Sequence, residues 1–290
     1  INEEASQCTK FHDIAGSVDL HMCPSRAISV GERSIEIDKS KCMGCGLCAR
    51  ACPVAAISVV NGKAEVHKYS NEKCIRKLPV TEKAIEEQER FLLECGHIKK
   101  QGMILQESDA VMKNIHKYVH FLNQDKQNIF VRNLFILLGN HVTIARKGNV
   151  YMRLDGFYQN ENGYGILEVE TGSDALDVAR AILDDIAVLN SRHGISMKDN
   201  DPLAVCLYLP NKRTDYWQVV KDIKEVTGIK IRTLTIGALL LMLWNHVELQ
   251  DFGSFYIDVE NTSIRKELER IIGRKIQISI GTDGILESQK

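Results

Sequence analysis

The sequence predicts a chain in two parts: a small α+β module over residues 1–100, and a three-layer α/β/α domain with a mixed sheet over residues 101–290. Three observations lead there. Of nine cysteines, Cys8, Cys23, Cys42, Cys45, Cys48, Cys52, Cys74 and Cys95 all precede residue 96, and only Cys206 follows. Beyond about residue 100 the apolar pattern changes to alternating helix and strand periods. Between the two lies a charged, glycine-containing stretch at 97–103, the best linker. A length of 290 residues, 44% of them hydrophobic and 26% charged, suits about two soluble domains.

The first part is organised by Lys41-Cys42-Met43-Gly44-Cys45-Gly46-Leu47-Cys48-Ala49-Arg50-Ala51-Cys52-Pro53. This C-x2-C-x2-C-x3-C-P spacing puts three thiolates on one tight loop, able to cap one face of an iron–sulfur cube, and carries the fourth away along the next helical turn. Gly44 and Gly46 let backbone fold closely around inorganic sulfide. A zinc knuckle would instead use two C-x2-C pairs separated by a longer loop. Cys23-Pro24-Ser25-Arg26-Ala27-Ile28-Ser29-Val30 is repeated at residues 52–59. After each copy comes a turn, Gly31-Glu32 or Asn61-Gly62, which predicts two short hairpins.

This segment resembles a bacterial-type [4Fe–4S] ferredoxin in its duplicated form. The resemblance implies that Cys42, Cys45 and Cys48 share one cluster with Cys23, since each C-P cysteine serves the partner half's cluster. Asp13, Gly16 and Asp19 stand where the first half would carry its own three cysteines, so a second cluster needs other ligands. Pseudo-symmetry points to Cys8, Cys52, Cys74 and Cys95 for it. The alternative is one cluster on Cys42, Cys45, Cys48 and either Cys23 or Cys52, with the remaining thiols idle. His12 and His21 are further ligand candidates.

Residues 80–95 place Val80, Ala84, Ile85, Phe91, Leu92 and Cys95 near one face, an amphipathic helix ended by Gly96. In the second part, helical spacing predicts helices at 107–124 and 128–138, the latter stopped by Gly139-Asn140. Strand-like runs follow at 141–145, 150–158 and 165–170, the last two joined by a polar turn at 159–163. A long helix capped by Ser173 carries Leu176, Ala179, Ile182, Leu183 and Ile186 inward. Buried strands at 203–209 and 229–234 flank a helix at 216–226. The apolar run 236–244 is too short to span a membrane and predicts a buried helix. The tail reads as strand 255–260, helix 263–272 and strand 275–280. The order α-α-β-β-β-α-β-α-β-α defines the three layers.

On two neighbouring strands of this domain the apolar residues Met152, Leu154, Leu167 and Val169 alternate inward. Period two then sets Asp155 with Arg153 on one face and Glu168 with Glu170 on one face. If the hairpin register aligns them, Asp155, Glu168 and Glu170 converge as three metal-binding and catalytic carboxylates; hard oxygens gathered this way suit Mg²⁺ or Mn²⁺ and in-line attack on a phosphodiester, although alternation alone also produces solvated polar faces.

Residues 107–246 resemble the restriction-endonuclease-like, or PD-(D/E)xK, nuclease superfamily in element order and motif. The resemblance implies metal-binding and catalytic roles for Asp155 and Glu168, with Glu170 standing where lysine is usual. That replacement removes a positive charge expected at the transferring phosphate. Asp155 also lacks the preceding proline.

Other features are plainer. Cys206 in its apolar run reads as core. Tyr216 and Trp217, with Lys212, Arg213 and Lys221 near them, are either a nucleic-acid contact or ordinary core. A net charge of −1 gives no polycationic tail. No export signal is evident, so a cytoplasmic location and ligating, unpaired cysteines are expected, with no membrane partner. The expectation is an iron–sulfur protein with a Mg- or Mn-dependent nuclease domain acting on nucleic acid, DNA foremost. The alternative is a redox-sensing or electron-transfer protein, with a redox partner, whose second domain is a catalytically inactive binding module.

Overall fold

The computed structural model describes residues 23–30, 35–51, 57–66, 106–145, 154–160, 162–172, 175–249, 251–276 and 284–289. The expected helix at 80–95, the linker at 97–103, the Ser173 cap, Arg153, Met152, His12, His21 and Cys8, Cys52, Cys74 and Cys95 lie outside these residues.

The first module consists of two hairpins and one helical turn. β1 (Ile28–Val30) pairs antiparallel with β2 (Ile35–Ile37), Ile28 opposite Ile37. β3 (Ile57–Val60) pairs with β4 (Lys63–Val66) around Asn61 and Gly62, whose φ values of 50° and 71° are what a two-residue hairpin of the right twist needs. The repeat in the sequence is thus a repeat of hairpins. Between them runs α1 (Leu47–Ala51), whose Leu47 is buried with Ala27, Ile35, Met43, Ile57 and Ala64.

The second part begins with α2 (Gln106–Phe121) and α3 (Gln124–Leu137). The break between them falls earlier than helical spacing suggests, because the Asn123 side chain accepts from Lys126 N and restarts the helix there. A five-stranded sheet follows in the order β5 (His141–Ile144), β6 (Gly156–Asn160), β7 (Gly163–Glu170), β8 (Leu203–Cys206), β9 (Arg232–Thr235). The first three strands are antiparallel and the last three parallel. The parallel pairs require crossovers, supplied by α4 (Ala175–His193) and α5 (Tyr216–Thr227). α6 (Ile236–Trp244) is buried along its whole length, as its sequence predicts, and is capped by Thr235 accepting from Ala238 N.

Register assigns the two faces of the sheet. On one face Thr143, Phe157 and Ile166 form a transverse row, Glu168, Ala204 and Thr233 the next, and Glu170, Cys206 and Thr235 a third. α5 covers this face, Tyr216 OH bonding Thr233 Oγ1 at 2.9 Å, and α4 lies beside it. The opposite face carries Tyr158, Leu167, Val169, Val205 and Leu234, and the Phe135 ring of α3 packs near Tyr158. The result is the α/β/α sandwich with a mixed sheet that the element order predicts.

Several boundaries differ from the sequence expectation, each for a local reason. β6 begins at Gly156, leaving Asp155 in the bend before it. The polar turn at 159–163 is shorter, because Gln159 and Asn160 are buried in the strand and Asn160 Oδ1 accepts from Asn162 N and Gly163 N. β8 stops at Cys206 and β9 starts at Arg232, the lengths over which the two are paired. In place of a strand at 255–260 there is a 3₁₀ turn at Gly253–Phe255 and a tight turn bridging Asp258 to Asn261. α7 (Arg265–Ile272) follows and ends at Gly273 in the left-handed region. Residues 284–289 then return to the domain, Ile264 N bonding Leu286 O at 2.9 Å and Lys212 N bonding Gln289 O at 3.0 Å.

The two parts share one contiguous buried core. α1 packs against β5, the edge strand of the sheet. Among the described residues no helix is long and apolar enough to cross a membrane.

Candidate functional site

The hairpin repeat brings Cys23, preceding β1, beside the loop that carries Cys42, Cys45 and Cys48. The four thiols line one recess, whose other walls include Ile28, Ile37, Met43 and Ala64. Each sulfur is met by a backbone N–H. Ala27 N donates to Cys23 Sγ at 3.2 Å and Ala64 N to Cys42 Sγ at 3.3 Å. Leu47 N–H serves Cys45, and Ala49 N–H serves Cys48. Gly44, at φ 73°, runs so close to Gly62 that a Cβ there would lie 2.3 Å from the Gly62 carbonyl oxygen. Lys63 Nζ donates to the Cys42 carbonyl at 2.6 Å, placing a positive charge beside the loop.

These details fit an iron–sulfur cluster. Burial pushes the Cys45 thiol far up and that of Cys48 to about 12, and the neighbouring thiols add to both rises. Buried as they are, the Cys45 and Cys48 thiols are poor thiolates by themselves; metal ligation deprotonates such thiols, and N–H groups aimed at sulfur lower the cost of the remaining negative charge. Cys206, by contrast, is buried in β8 and takes no part, its thiol pushed up to about 12 by burial and by Glu170.

The carboxylates lie at the start of β6 and along β7. Gly156 pairs with Leu167, which sets Asp155 opposite Glu168, and Ala145 N donates to the Asp155 carbonyl at 2.8 Å. Glu168 and Glu170, two apart, share a face of β7. Burial pushes the Glu168 carboxyl up to about 8, with Asp155, Asp185 and Glu170 each adding repulsion. Asp155 is raised by burial, held back by a hydrogen bond from Asn128, and raised again by Glu170. Asp185 is a buried α4 residue that the sequence reading did not single out; its spacing with Ile182 and Ile186, on the inward face of α4, was the available signal.

The N-terminus of α3 supports this site. Gln124 Nε2 donates to Asn128 Oδ1 at 3.1 Å and to the Val169 carbonyl at 2.7 Å, and Gln127 Oε1 accepts from Thr171 Oγ1 at 2.6 Å. Glu170 Oε1 accepts from Gly172 N at 2.5 Å. Among the described residues no three His, Cys, Asp or Glu side chains converge in the way that ligands of one ion do. The four acids are neighbours in charge, with hard oxygen donors that suit a divalent ion, without being drawn onto one point. Tyr216 and Trp217, considered above for nucleic acid, are core: both are fully buried, and Trp217 Nε1 donates to the Pro210 carbonyl at 3.1 Å.

Comparison with known proteins bears on the first part. Residues 35–58 match the family of 4Fe-4S binding domains. The chain is similar to "Hydrogenase-4 component A" of Escherichia coli (strain K12), 49% identical over 51 residues, which are 18% of this chain and 24% of that protein. The chain thus spans about a quarter of that relative's length. Residues 35–58 with the recess around them are a ferredoxin-type iron–sulfur domain. A solved structure, that of the restriction endonuclease FokI bound to DNA, overlaps 77% of this chain and 39% of its own at 11% identity, with a TM-score of 0.36. An overlap that low decides nothing about the second domain.

Proposed function

We propose that this protein is an iron–sulfur protein whose second domain hydrolyses phosphodiester bonds in nucleic acid, DNA foremost, with Mg²⁺ or Mn²⁺. The observation that carries the reading is the meeting of Asp155 with Glu168 across neighbouring strands, with Glu170 and Asp185 near enough to raise their neighbours' pKa values. Charge crowding of this kind has no packing purpose and is relieved by a divalent cation. Asp155 and Glu168 would hold the ion, which when bound would polarise a phosphoryl oxygen and acidify a water. Asn128 orients Asp155, and Gln124 ties α3 to β7. In the first domain Cys23, Cys42, Cys45 and Cys48 hold one [4Fe–4S] cluster. Cys8, Cys52, Cys74 and Cys95 remain the set for a second, which anaerobic iron and sulfide analysis tests at about eight of each per chain against about four.

A second reading, in which the domain binds without cleaving and the cluster serves a redox partner, is favoured by Glu170. It replaces the usual lysine, and its carboxylate is turned to its own backbone at Gly172. The similarity of 51 residues to a hydrogenase component supports this second reading.

The test is cleavage of single- and double-stranded DNA and of RNA by holoprotein with each metal. Activity abolished in Asp155→Ala and Glu168→Ala supports the nuclease, and Glu170→Lys should raise it. Wild type and Glu170→Lys both silent with all substrates would leave the binding module.

A further inference from the structure

α2 presents two contrasting faces. Met112, His116 and Val119 turn inward and are buried. On the outer face Tyr118 and Phe121 are 70% and 75% exposed, three residues apart and therefore adjacent on the helix surface. Lys113 and Lys117 are exposed on the same side, four apart, with Phe121 four beyond Lys117. Just past the helix end, Lys126 is exposed in the first turn of α3.

Large aromatics this exposed side by side are uncommon on a soluble surface, and singly placed ones need no explanation. The alternation with lysines is the feature to be explained. Aromatic faces framed by cations match a ligand that offers flat unsaturated rings and negative charge at short, regular intervals. Unpaired nucleotides have that chemistry; duplex bases are stacked on one another and unavailable. Position agrees as well. Gln124 is three residues beyond Phe121, within about 11 Å of chain, and its side chain bonds the Val169 carbonyl between Glu168 and Glu170. A strand lying along the outer face of α2 is therefore led toward the carboxylates.

We propose that the outer face of α2 is a binding platform for single-stranded nucleic acid, with bases stacking on Tyr118 and Phe121 and phosphates meeting Lys113, Lys117 and Lys126. The proposal rests on the nucleic-acid reading of the second domain and specifies its substrate as unpaired strand. Stacking gives affinity without sequence readout, so no base preference is expected beyond that of stacking strength.

The experiment is fluorescence anisotropy with holoprotein and a labelled oligothymidylate in buffer with no added divalent metal, so that no cleavage occurs. Binding to the oligonucleotide should exceed binding to a duplex of equal length. The double variant Tyr118→Ala/Phe121→Ala should weaken it about 10-fold or more, with iron content and circular dichroism unchanged. Lys117→Gln should lower the dependence on salt by about one released counterion. Cleavage is assayed separately with Mg²⁺ or Mn²⁺ added to wild type, which separates this platform from the chemistry: a wild type that binds through the two aromatics and cleaves nothing supports the platform and removes the nuclease alone. A wild type that binds no single strand, or binding untouched by loss of both aromatics, would overturn the proposal.

Discussion

Gly46 lies against Thr143: a Cβ built on this cluster-loop glycine would stand 3.7 Å from Thr143 Cγ2, on the edge strand of the sheet. Two residues along that strand, Ala145 N holds the carbonyl of Asp155. The loop that carries Cys45 and Cys48 is thus two contacts away from a carboxylate of the second site. Because ligation free energy becomes folding free energy in a small metal module, a bound cluster would brace β5 through this contact.

Removing the iron should therefore loosen the sheet edge as well as the module. Anaerobic chelation is expected to lower the thermal midpoint of the whole chain and to speed hydrogen exchange at the amides of residues 142–145, while those of β8 stay protected. Colourless protein with unchanged exchange at 142–145 would show that the brace does not exist.

Gly44 offers a sharper change within the cluster loop. Gly44→Ala incurs about 1–2 kcal/mol for a non-glycine residue in the left-handed region. It also drives the new Cβ to 2.3 Å from the Gly62 carbonyl oxygen, where both partners are backbone and cannot swing away. Expected are loss of most visible absorbance and of most bound iron on purification. A brown variant with wild-type iron would mean that the loop has slack not apparent in its geometry.

How far the sequence discloses this arrangement depends on whether the controlling interaction is local. Cysteine spacing, the Asn61-Gly62 turn and the apolar period of residues 236–244 are local chemistry, and each reappears in the structure. The split between α2 and α3 escapes helical spacing, because Asn123 fits a helical period and only its side-chain bond to Lys126 N makes it a cap. Alternation carries the strand pattern through Asp155, whereas pairing begins at Gly156. The role of Asp185 depends on α4 folding back over β7, which no local pattern encodes. The contact between Gly46 and Thr143 joins residues nearly a hundred positions apart and has no sequence signature.

The opposite sheet face has its own close approach. Gly165 passes so near the backbone of Asp201 that a Cβ would lie 1.9 Å from the Asp201 carbonyl oxygen, which also accepts from Tyr158 OH at 2.6 Å. Gly165→Ala should cost about 3 kcal/mol or more in denaturant unfolding, through displaced backbone. Tyr158→Phe removes only the hydrogen bond and should cost about 1 kcal/mol. Equal losses in the two variants would rule out the steric account.

His116 predicts a pH dependence whose sign is fixed by burial. The ring lies inside α2 against Tyr208, its centroid 5.3 Å from that of the tyrosine, and Nδ1–H donates to the Met112 carbonyl at 2.9 Å. Burial holds its pKa below the ordinary 6.5, with the backbone contacts at Met112 and Leu207 opposing the shift. In the unfolded chain the same histidine takes up a proton as pH falls through about 6.5, while the folded protein still keeps it neutral. The unfolded state then binds more protons, so stability falls with pH between the ordinary value and the lowered one, by at most about 1.4 kcal/mol per pH unit for one proton. Above pH 7 both states are neutral and the contribution is flat. Other groups also titrate on acidification, so the informative quantity is the difference between wild type and His116→Leu in unfolding free energy at pH 7.5 and at pH 5.5. The variant should lose less stability than wild type on going to pH 5.5, because its unfolded state has one fewer site to protonate. Parallel pH profiles for the two proteins would mean that His116 titrates alike in both states.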